Sequence, residues 1–254
     1  MDYALITGAS YGIGSAFAHA LAAEGRNLIL TARSGDRLES LAVRLRRPGI
    51  DVHTLALDLA APDGVARLCA AVRERGWTVD LLVNNAGFGS GGEFAQLELA
   101  HEVRMLDLNV RAVVALTHYF LGPMRDRRRG AILNVASTAA FQAVPFMTTY
   151  AASKAFVLNF SLGLWRENRR YGVHVMALCP GTTETNFFAA AGIRPRRAVM
   201  QTAEAVVAAG LDGLRRRRPL VVSGWQNKLM VFTERLVPRT LVIQLAARFM
   251  EDTT

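Results

Sequence analysis

Residues 7–14 read TGASYGIG and lie between a short apolar run that begins at Tyr3 and a helical pattern that begins at Ser15. Glycine permits positive φ angles and lets the backbone approach a ligand closely. The free amide groups at the start of a helix favour a pyrophosphate. Strand, glycine turn and helix therefore occur in the order that a dinucleotide site requires, although such turns also serve purely structural ends.

Short apolar runs alternate with longer amphipathic stretches along the rest of the chain. Seven candidate strands are apolar on both faces and are separated by helix-length segments, which indicates a parallel sheet covered by helices. The strands are predicted at residues 3–7, 27–31, 52–57, 81–84, 131–136, 173–178 and 220–222, and the helices at 16–24, 37–46, 64–74, 102–121, 151–169 and 203–214. The predicted fold is α/β: a single Rossmann domain over residues 1–254, with a doubly wound, seven-stranded parallel sheet and helices on both faces.

The chain has 30 basic and 21 acidic residues, and its net charge of +9 would suit nucleic acid, a membrane surface or a phosphorylated ligand. The arginine runs at residues 127–129 and 215–218 precede strand-like stretches and lack interleaved aromatic residues for base stacking. We therefore interpret them as solvated helix ends and expect no nucleic-acid partner. Nucleic-acid binding driven by net charge stays an alternative that a salt titration can test.

The cysteine and histidine residues indicate neither a disulfide framework nor a metal site. Cys69 and Cys179 lie far apart, and the five histidines form no pair or cluster with zinc-ligand spacing. Unpaired cysteines fit a reducing compartment. A strand pattern from Tyr3 leaves no room for a signal peptide, and no apolar run approaches the ~20 residues that cross a bilayer. The expected location is cytoplasmic.

Residues 225–254 are predicted to form a C-terminal helical extension. From residue 227 to 250 this segment is apolar and basic and is interrupted by Pro238, which favours two short amphipathic helices. Packing on the protein's own body or on a twin subunit is the favoured interpretation. Contact with a membrane surface stays open.

The second strand ends at Arg33 and Ser34, where a NAD-preferring Rossmann protein would carry an acidic residue. A guanidinium group cannot accept hydrogen bonds from ribose hydroxyls, but it can pair with a 2′-phosphate, with the serine hydroxyl as a second donor. The predicted cofactor is therefore NADP(H) rather than NAD(H), and the alternative is an exposed arginine that opens a helix. Residues 58–59 and 84–87, at the ends of the third and fourth strands, border the same crevice.

Ser137 ends the fifth strand, and Tyr150 and Lys154 stand four residues apart at the start of a helical stretch. That spacing puts the phenol and the ammonium group on one helical face. A nearby cation favours phenolate and should lower the pKa of Tyr150 from its ordinary value of ~10. With Ser137 donating a hydrogen bond to a substrate oxygen, Tyr150 could exchange a proton with that oxygen during hydride transfer.

These motifs, in this order and at these intervals, resemble the classical short-chain dehydrogenase/reductase family. Phe88 and residues 140–145 and 186–188 resemble its bacterial general-reductase branch. The resemblance implies a nicotinamide-dependent oxidoreductase whose catalytic residues are Asn109, Ser137, Tyr150 and Lys154. It also implies a cofactor site, with Gly8, Ser10, Gly12, Ile13 and Gly14 at the pyrophosphate, Asp58 and Leu59 at the adenine, Asn85, Ala86 and Gly87 at the adjoining ribose, Tyr150 and Lys154 at the nicotinamide ribose, and Pro180, Gly181 and Thr185 at the carboxamide.

The resemblance further implies a substrate side and an assembly. A small, apolar carbonyl or alcohol compound would contact Phe88, Phe141, Val144, Phe146, Phe187 and Phe188, although ordinary core packing would explain some of them. Residues 182–200 are expected to form a lid over bound ligands. A homodimer or homotetramer through the long helices after the fourth and fifth strands is expected. The competing interpretation is a catalytically silent dinucleotide-binding sensor or scaffold that acts through a partner contact.

Overall fold

The computed structural model of the protein describes residues 1–185, 187, 191–192 and 200–251. Its strands are β1 (Asp2–Thr7), β2 (Asn27–Ala32), β3 (Val52–Ala56), β4 (Thr78–Asn84), β5 (Gly130–Val135), β6 (Val173–Cys179) and β7 (Leu220–Val222). Its helices are α1 (Gly12–Ala23), α2 (Gly35–Leu45), α3 (Gly64–Glu74), α4 (Leu99–Leu106), α5 (Val113–Asp126), α6 (Thr148–Asn168), α7 (Ala203–Arg215), α8 (Trp225–Thr233) and α9 (Arg239–Glu251).

All seven strands join one parallel sheet in the order β3-β2-β1-β4-β5-β6-β7. Side chains alternate between the two faces of each strand: Ala4 and Ile6 of β1 belong to one buried cluster, and Leu5 belongs to the other. Helices α1, α2 and α7 cover the first face, and α3, α5 and α6 cover the second. The predicted doubly wound α/β fold is confirmed.

The strand order reverses between β1 and β4, and this is where open parallel sheets bind ligands, beyond the carboxyl ends of the strands. The end of β2 is held beside the same place, because the amide of Ala9 donates to the carbonyl of Thr31 at 3.2 Å. Among the described residues, no helix has both the length and the apolar character needed to cross a membrane.

The stretch predicted as one helix over residues 102–121 is divided in the structure. Helix α4 begins earlier, at Leu99, a π-helical turn covers Asp107–Ala112, and α5 continues to Asp126. A π-helical turn inserts one extra residue per turn and frequently marks a functional site. Periodicity alone missed this turn because the apolar pattern continues on both sides of it.

The predicted lid at residues 182–200 lies largely outside the described residues, and Phe188 lies outside them entirely. The two ends of this segment are held together. Gln201 donates its amide to the carbonyl of Thr182 at 2.9 Å, and the amide of Glu184 donates to the carbonyl of Gln201 at 2.8 Å. The segment therefore leaves and rejoins the body at one place.

Candidate active site

The glycine turn after β1 is built for close backbone packing. Gly8 and Gly12 have φ angles of +66° and +51°, in the left-handed region that favours glycine. A Cβ on Gly14 would overlap the carbonyl oxygen of Gly8, so α1 starts directly against the turn. Helix α1 has no side-chain cap and no acidic residue in its first turn, which leaves its positive end available to an anionic ligand.

Other residues predicted around this turn differ in exposure. Ser10 is half-buried, whereas the side chain of Ile13 packs partly into the core below α1. Gly12 lies against Thr185, whose methyl group a Cβ there would overlap. The structure thus brings the segment after β6 to the mouth of the glycine turn.

The ends of β1 and β4 are joined by one hydroxyl group. Thr7 Oγ1 accepts hydrogen bonds from the amides of Asn85 and Ala86, both at 2.9 Å. The side-chain amide of Asn85 donates to the carbonyls of Thr7 and Gly8 at 2.9 and 3.2 Å. These bonds bring residues 85–87 beside the glycine turn and give Thr7 a positioning role that the sequence analysis did not assign.

Arg33 and Ser34 follow β2 at the rim of the crevice. The Arg33 side chain is exposed, and the Ser34 hydroxyl makes no capping bond at the start of α2. In the first turn of α2, the guanidinium carbon of Arg37 lies 4.3 Å from the centre of the Tyr11 ring. This contact connects α2 to the glycine turn. Arg37 was not among the predicted site residues, because a charged residue in the first turn of a helix carries no signal of its own.

Asp58 and Leu59 follow β3 on the adenine side that the resemblance implies. The Asp58 carboxylate pairs with Arg104 of α4 and also accepts from the amide of Ala60 at 3.0 Å. Leu59 is buried in the core, so only its backbone can face a ligand. The structure leaves Asp58 half-buried at the crevice edge.

Ser137, Tyr150 and Lys154 meet at the carboxyl end of β5. The Ser137 hydroxyl caps the short turn at Thr138–Ala140 and also forms a hydrogen bond with the Tyr150 phenol. Lys154 donates from Nζ to the carbonyl of Val135 at 2.9 Å, and its Nζ lies 5.8 Å from the centre of the Tyr150 ring. This group of side chains lies close to Gly87, in the loop after β4, because a Cβ on Gly87 would be 3.4 Å from Lys154 Nζ.

Burial dominates the electrostatics of this centre. Burial raises the pKa of Tyr150 to about 12, although the hydrogen bond with Ser137 acts to lower it. Burial also lowers the pKa of Lys154 to about 8. Desolvation has the largest effect on both groups, and Lys154 is not among the causes that shift the pKa of Tyr150. The lowering of the Tyr150 pKa by Lys154 stays a prediction.

Asn109 lies in the π-helical turn and is almost completely buried. Its side-chain amide donates to the carbonyl of Phe88 at 2.9 Å and to Ser153 Oγ at 3.1 Å, and its oxygen accepts from the Phe88 amide at 3.2 Å. Ser153 in turn donates to the carbonyl of Tyr150 at 2.7 Å. Asn109 thus links the segment after β4 to the first turn of α6. Ser153 was missed because a serine inside a helix carries no signal of its own.

The segment after β6 also borders this centre. The carbonyl of Pro180 accepts from the amide of Thr138 at 2.8 Å, which joins the loops after β5 and β6. Gly181 has no room for a side chain, because a Cβ would overlap the Asn227 amide group of α8. The structure therefore places Pro180 and Gly181 between the centre and the C-terminal helices.

The substrate side is an apolar cluster that includes Tyr150. Four of the six predicted residues belong to it, namely Phe88, Val144, Phe146 and Phe187. Phe141 instead packs in a separate cluster with Ala136 and Val157. The cluster also contains Met105, Met147, Ala191 and Met250, which the sequence analysis did not name. Met250 reaches the centre from α9, one hundred residues from Tyr150 along the chain, so no local pattern could have indicated it.

The geometry can be compared with known proteins. The family model for short chain dehydrogenase matches residues 2–194. A protein of Streptomyces violaceoruber that carries the name of a ketoacyl reductase of granaticin polyketide synthase is 40% identical over 184 residues, covering 72% of this chain and 68% of that protein.

Two solved structures show the same fold with a bound cofactor. A short-chain dehydrogenase from Sphingobium yanoikuyae in complex with NADPH is 34% identical, has a TM-score of 0.83, and covers 87% of both chains. A short chain dehydrogenase/reductase from Burkholderia phymatum in complex with NAD is 27% identical, has a TM-score of 0.81, and covers 91% of both chains. Both nicotinamide dinucleotides therefore occur among the similar proteins.

Proposed function

This chain belongs to the short-chain dehydrogenase family, and on that premise we propose that it is an NADP-preferring oxidoreductase for a carbonyl or alcohol group of a small, apolar substrate. One observation carries the proposal. Ser137, Tyr150 and Lys154 meet in front of Gly87, at the strand end that Thr7 ties to the glycine turn. The nicotinamide ring, when bound, would supply or accept the hydride.

Tyr150 is proposed to exchange a proton with the substrate oxygen. Because burial raises the pKa of Tyr150 to about 12, the phenol is protonated at neutral pH, the form that donates during carbonyl reduction. Ser137, already bonded to the phenol, would donate a hydrogen bond to the same oxygen. Lys154 is buried beside them and provides the cation that favours phenolate in the reverse direction.

Asn109 is proposed as a residue that positions the proton-transfer group. Its bonds to the Phe88 backbone and to Ser153 fix the first turn of α6, from which the Tyr150 side chain projects. A loss of these bonds would change the phenol's position relative to Ser137, and small displacements in a catalytic centre lower rates strongly.

The residues at the glycine turn fit a dinucleotide. The left-handed glycines leave a surface that side chains would fill, and the uncapped start of α1 favours a pyrophosphate. Arg33 supports NADP(H) because it is exposed beside this turn and because no acidic residue follows β2 before Gly35. Ser34 would be the second donor to a 2′-phosphate.

An apolar substrate is supported by the cluster around Tyr150. The Tyr150 and Phe187 rings lie 5.0 Å apart, and Phe88 and Phe146 pack against the same cluster. Such walls favour apolar groups next to the reacting carbon, since they offer few polar partners.

A homodimer is proposed on the exposed face of α4. Leu99, Val103 and Leu106 recur there at helical spacing, and each is at least 41% exposed. The rings of Phe156 and Phe160 in α6 stack with their centroids 5.5 Å apart, and Phe156 is also exposed. Helices α4 and α6 follow β4 and β5, the strands after which the resemblance implies the contact helices. A reducing, cytoplasmic location is proposed because Cys69 and Cys179 are unpaired and buried.

A substrate screen tests the proposed reaction. Purified protein is mixed with a panel of ketones and aldehydes, and the oxidation of NADPH and of NADH is followed by absorbance. We expect turnover with NADPH and an apolar carbonyl compound, and a loss of about 10²-fold or more in Ser137→Ala, which lacks the oxygen-binding hydroxyl. Thr138→Ala is the matched control, since Thr138 lies in the same turn. NADPH binding without turnover across the panel would instead favour the sensor hypothesis.

A further inference from the structure

The C-terminal extension, here residues 225–251, presents an apolar stripe to solvent. The stripe runs along α8 and the short turn after it, and its four side chains recur at helical spacing. They are Trp225, Leu229, Phe232 and Leu236, which are 72%, 54%, 59% and 71% exposed. Single exposed apolar residues are ordinary, but a contiguous stripe of large ones marks an interaction surface.

The opposite side of α8 fixes the direction of the stripe. Val231 is buried against the cluster that contains Ala140 and Phe141. Asn227 donates to the carbonyl of Ser223 at 2.8 Å and to Gln201 Oε1 at 3.2 Å. Helix α8 is therefore anchored on the protein's own body through one side, which leaves the apolar stripe on the other.

Exposed basic side chains flank this stripe. At about 100° per residue, Lys228 and Arg235 lie about 60–80° to one side of Trp225. Both are exposed, and neither they nor Arg239 form an ion pair with any residue that the structure describes. Residues 225–251 contain two acidic residues, namely Glu234, which is half-buried on the side opposite the stripe, and Glu251, at which α9 ends. The exposed surface is thus apolar and positively charged.

We propose that this stripe docks onto the surface of a lipid bilayer that carries anionic headgroups. The apolar side chains would enter the boundary between headgroups and acyl chains, with Trp225 at that boundary and the basic side chains at the headgroups. Each basic residue near an anionic surface adds to the attraction, and the protein's net charge of +9 acts in the same direction.

A second copy of the chain fits this surface less well. A two-fold contact would place the same patch on both subunits, so Lys228 and Arg235 of one copy would approach those of the other without an exposed carboxylate between them. The α4 stripe differs, because Arg104 beside it is paired with Asp58. The exposed charges of Lys228 and Arg235 therefore distinguish the C-terminal stripe from the proposed subunit contact.

Vesicle flotation tests the proposal with the whole protein. Vesicles of phosphatidylcholine with about one third phosphatidylglycerol are compared with vesicles of phosphatidylcholine alone. We expect the wild type to float with the anionic vesicles, at least tenfold more than with neutral ones, and to be released as salt is raised. Leu229→Ser with Phe232→Ser should lower the partition coefficient at least tenfold, and Lys228→Gln with Arg235→Gln should lower it severalfold.

Matched variants elsewhere control for general effects. Val43→Ser with Phe94→Ser removes two exposed apolar side chains, one of α2 and one of the short turn at Phe94–Gln96, and Arg44→Gln with Arg73→Gln removes two exposed charges of α2 and α3. Both control pairs should float like the wild type. Quenching of tryptophan fluorescence by brominated lipid gives a second measurement, which Trp225→Phe should abolish although Trp77 and Trp165 remain.

Three results would overturn the proposal. The first is no flotation of the wild type with anionic vesicles. The second is equal loss in the control pairs and in the stripe variants. The third is a combination of two observations: light scattering shows a homo-oligomer that Leu229→Ser with Phe232→Ser dissociates, and the wild type does not bind vesicles. That combination would assign the stripe to a second copy of the chain. None of these measurements depends on the proposed reaction.

Discussion

The glycine turn and the catalytic centre lie side by side, yet they are built in different ways. The turn consists of eight consecutive residues, and its backbone is the part that would contact the ligand. It requires positive φ angles at Gly8 and Gly12 and the absence of side chains at its glycines. The centre gathers side chains from the π-helical turn, the end of β5 and the first turns of α6, and Met250 joins its apolar wall. Adding an atom to the glycine turn should therefore weaken cofactor binding. Removing a functional group from the catalytic centre should lower the reaction rate.

This difference also separates affinity from rate. Additions at the turn change the space available to a bound dinucleotide, whereas deletions at the centre remove a proton carrier or its hydrogen-bond partner. Four predictions test whether the two regions can be disturbed separately, in order of decreasing effect.

The largest expected effect is at the catalytic centre. Tyr150→Phe removes the hydroxyl that exchanges the proton, and we expect kcat to fall by about 10²–10⁴-fold, the usual contribution of a general acid or base. NADPH affinity, measured by fluorescence titration, should change less than threefold. Tyr171→Phe is the control, since that ring stacks with Arg125 far from the centre. An equal loss of affinity and rate would show that the two regions are not separable.

The second effect is at the turn. A Cβ in Gly14→Ala would overlap Gly8 O and lie 2.6 Å from the Asn85 amide nitrogen, so backbone must shift. Overpacking costs about 1–3 kcal/mol of folding free energy. Because the displaced backbone no longer leaves the same space for the ligand, we expect the NADPH dissociation constant to rise by about tenfold or more. Gly122→Ala is the control because nothing lies within 4 Å of its Cβ position. Gly122→Ala should leave NADPH affinity unchanged. Unchanged affinity in Gly14→Ala would contradict a role of the glycine turn in binding the dinucleotide.

The third effect concerns cofactor choice at the rim of the turn. Arg33→Asp replaces a donor to the 2′-phosphate with a like charge, and a charge-assisted hydrogen bond contributes about 1.5–3 kcal/mol. NADPH binding should therefore weaken by tenfold or more, while NADH binding stays the same or improves. Arg44→Asp, at the last turn of α2, should change neither constant. If the wild type binds NADH tightly and Arg33→Asp does not change the binding of either cofactor, the basis for NADP preference is removed.

The smallest expected effect is on the pH dependence of folding stability and concerns a histidine in the central sheet. Burial lowers the pKa of His174 on β6 to about 4, so the folded protein favours the neutral ring. A histidine with a lowered pKa stabilises the fold above its ordinary pKa of 6.5, and this stability is lost as the pH falls toward 4. We expect a loss of about 1–3 kcal/mol over that interval.

Denaturant unfolding at pH 7.5 and at pH 4.5 measures this loss. His174→Leu should reduce the difference between the two conditions, and the exposed His19→Ala should retain it. Rates at pH 7.5 should remain within a few-fold of wild type in both variants, because neither side chain reaches the turn or the centre. A pH dependence that survives in His174→Leu would assign it to other groups.

Much of the fold was predictable because its signals are local. All seven predicted strands overlap the observed ones, since buried parallel strands read as short apolar runs between helical segments. The helix after β4 was less predictable, because the π-helical turn around Asn109 is fixed by the Phe88 backbone, which approaches from the preceding loop. Phe141 was placed on the substrate side by resemblance, whereas packing put it in a neighbouring cluster.

Residue types and short spacings were enough to predict the strand-turn-helix order around TGASYGIG, the grouping of Ser137, Tyr150 and Lys154, and the family to which the chain belongs. These features are readable because each depends on residue type and short spacing. Three features depend on long-range packing: burial raises the Tyr150 pKa, Met250 joins the apolar wall of the site, and four apolar side chains of the C-terminal extension face solvent, namely Trp225, Leu229, Phe232 and Leu236. Desolvation and exposure depend on which distant segments pack together, and an amphipathic pattern does not state what its apolar side will contact.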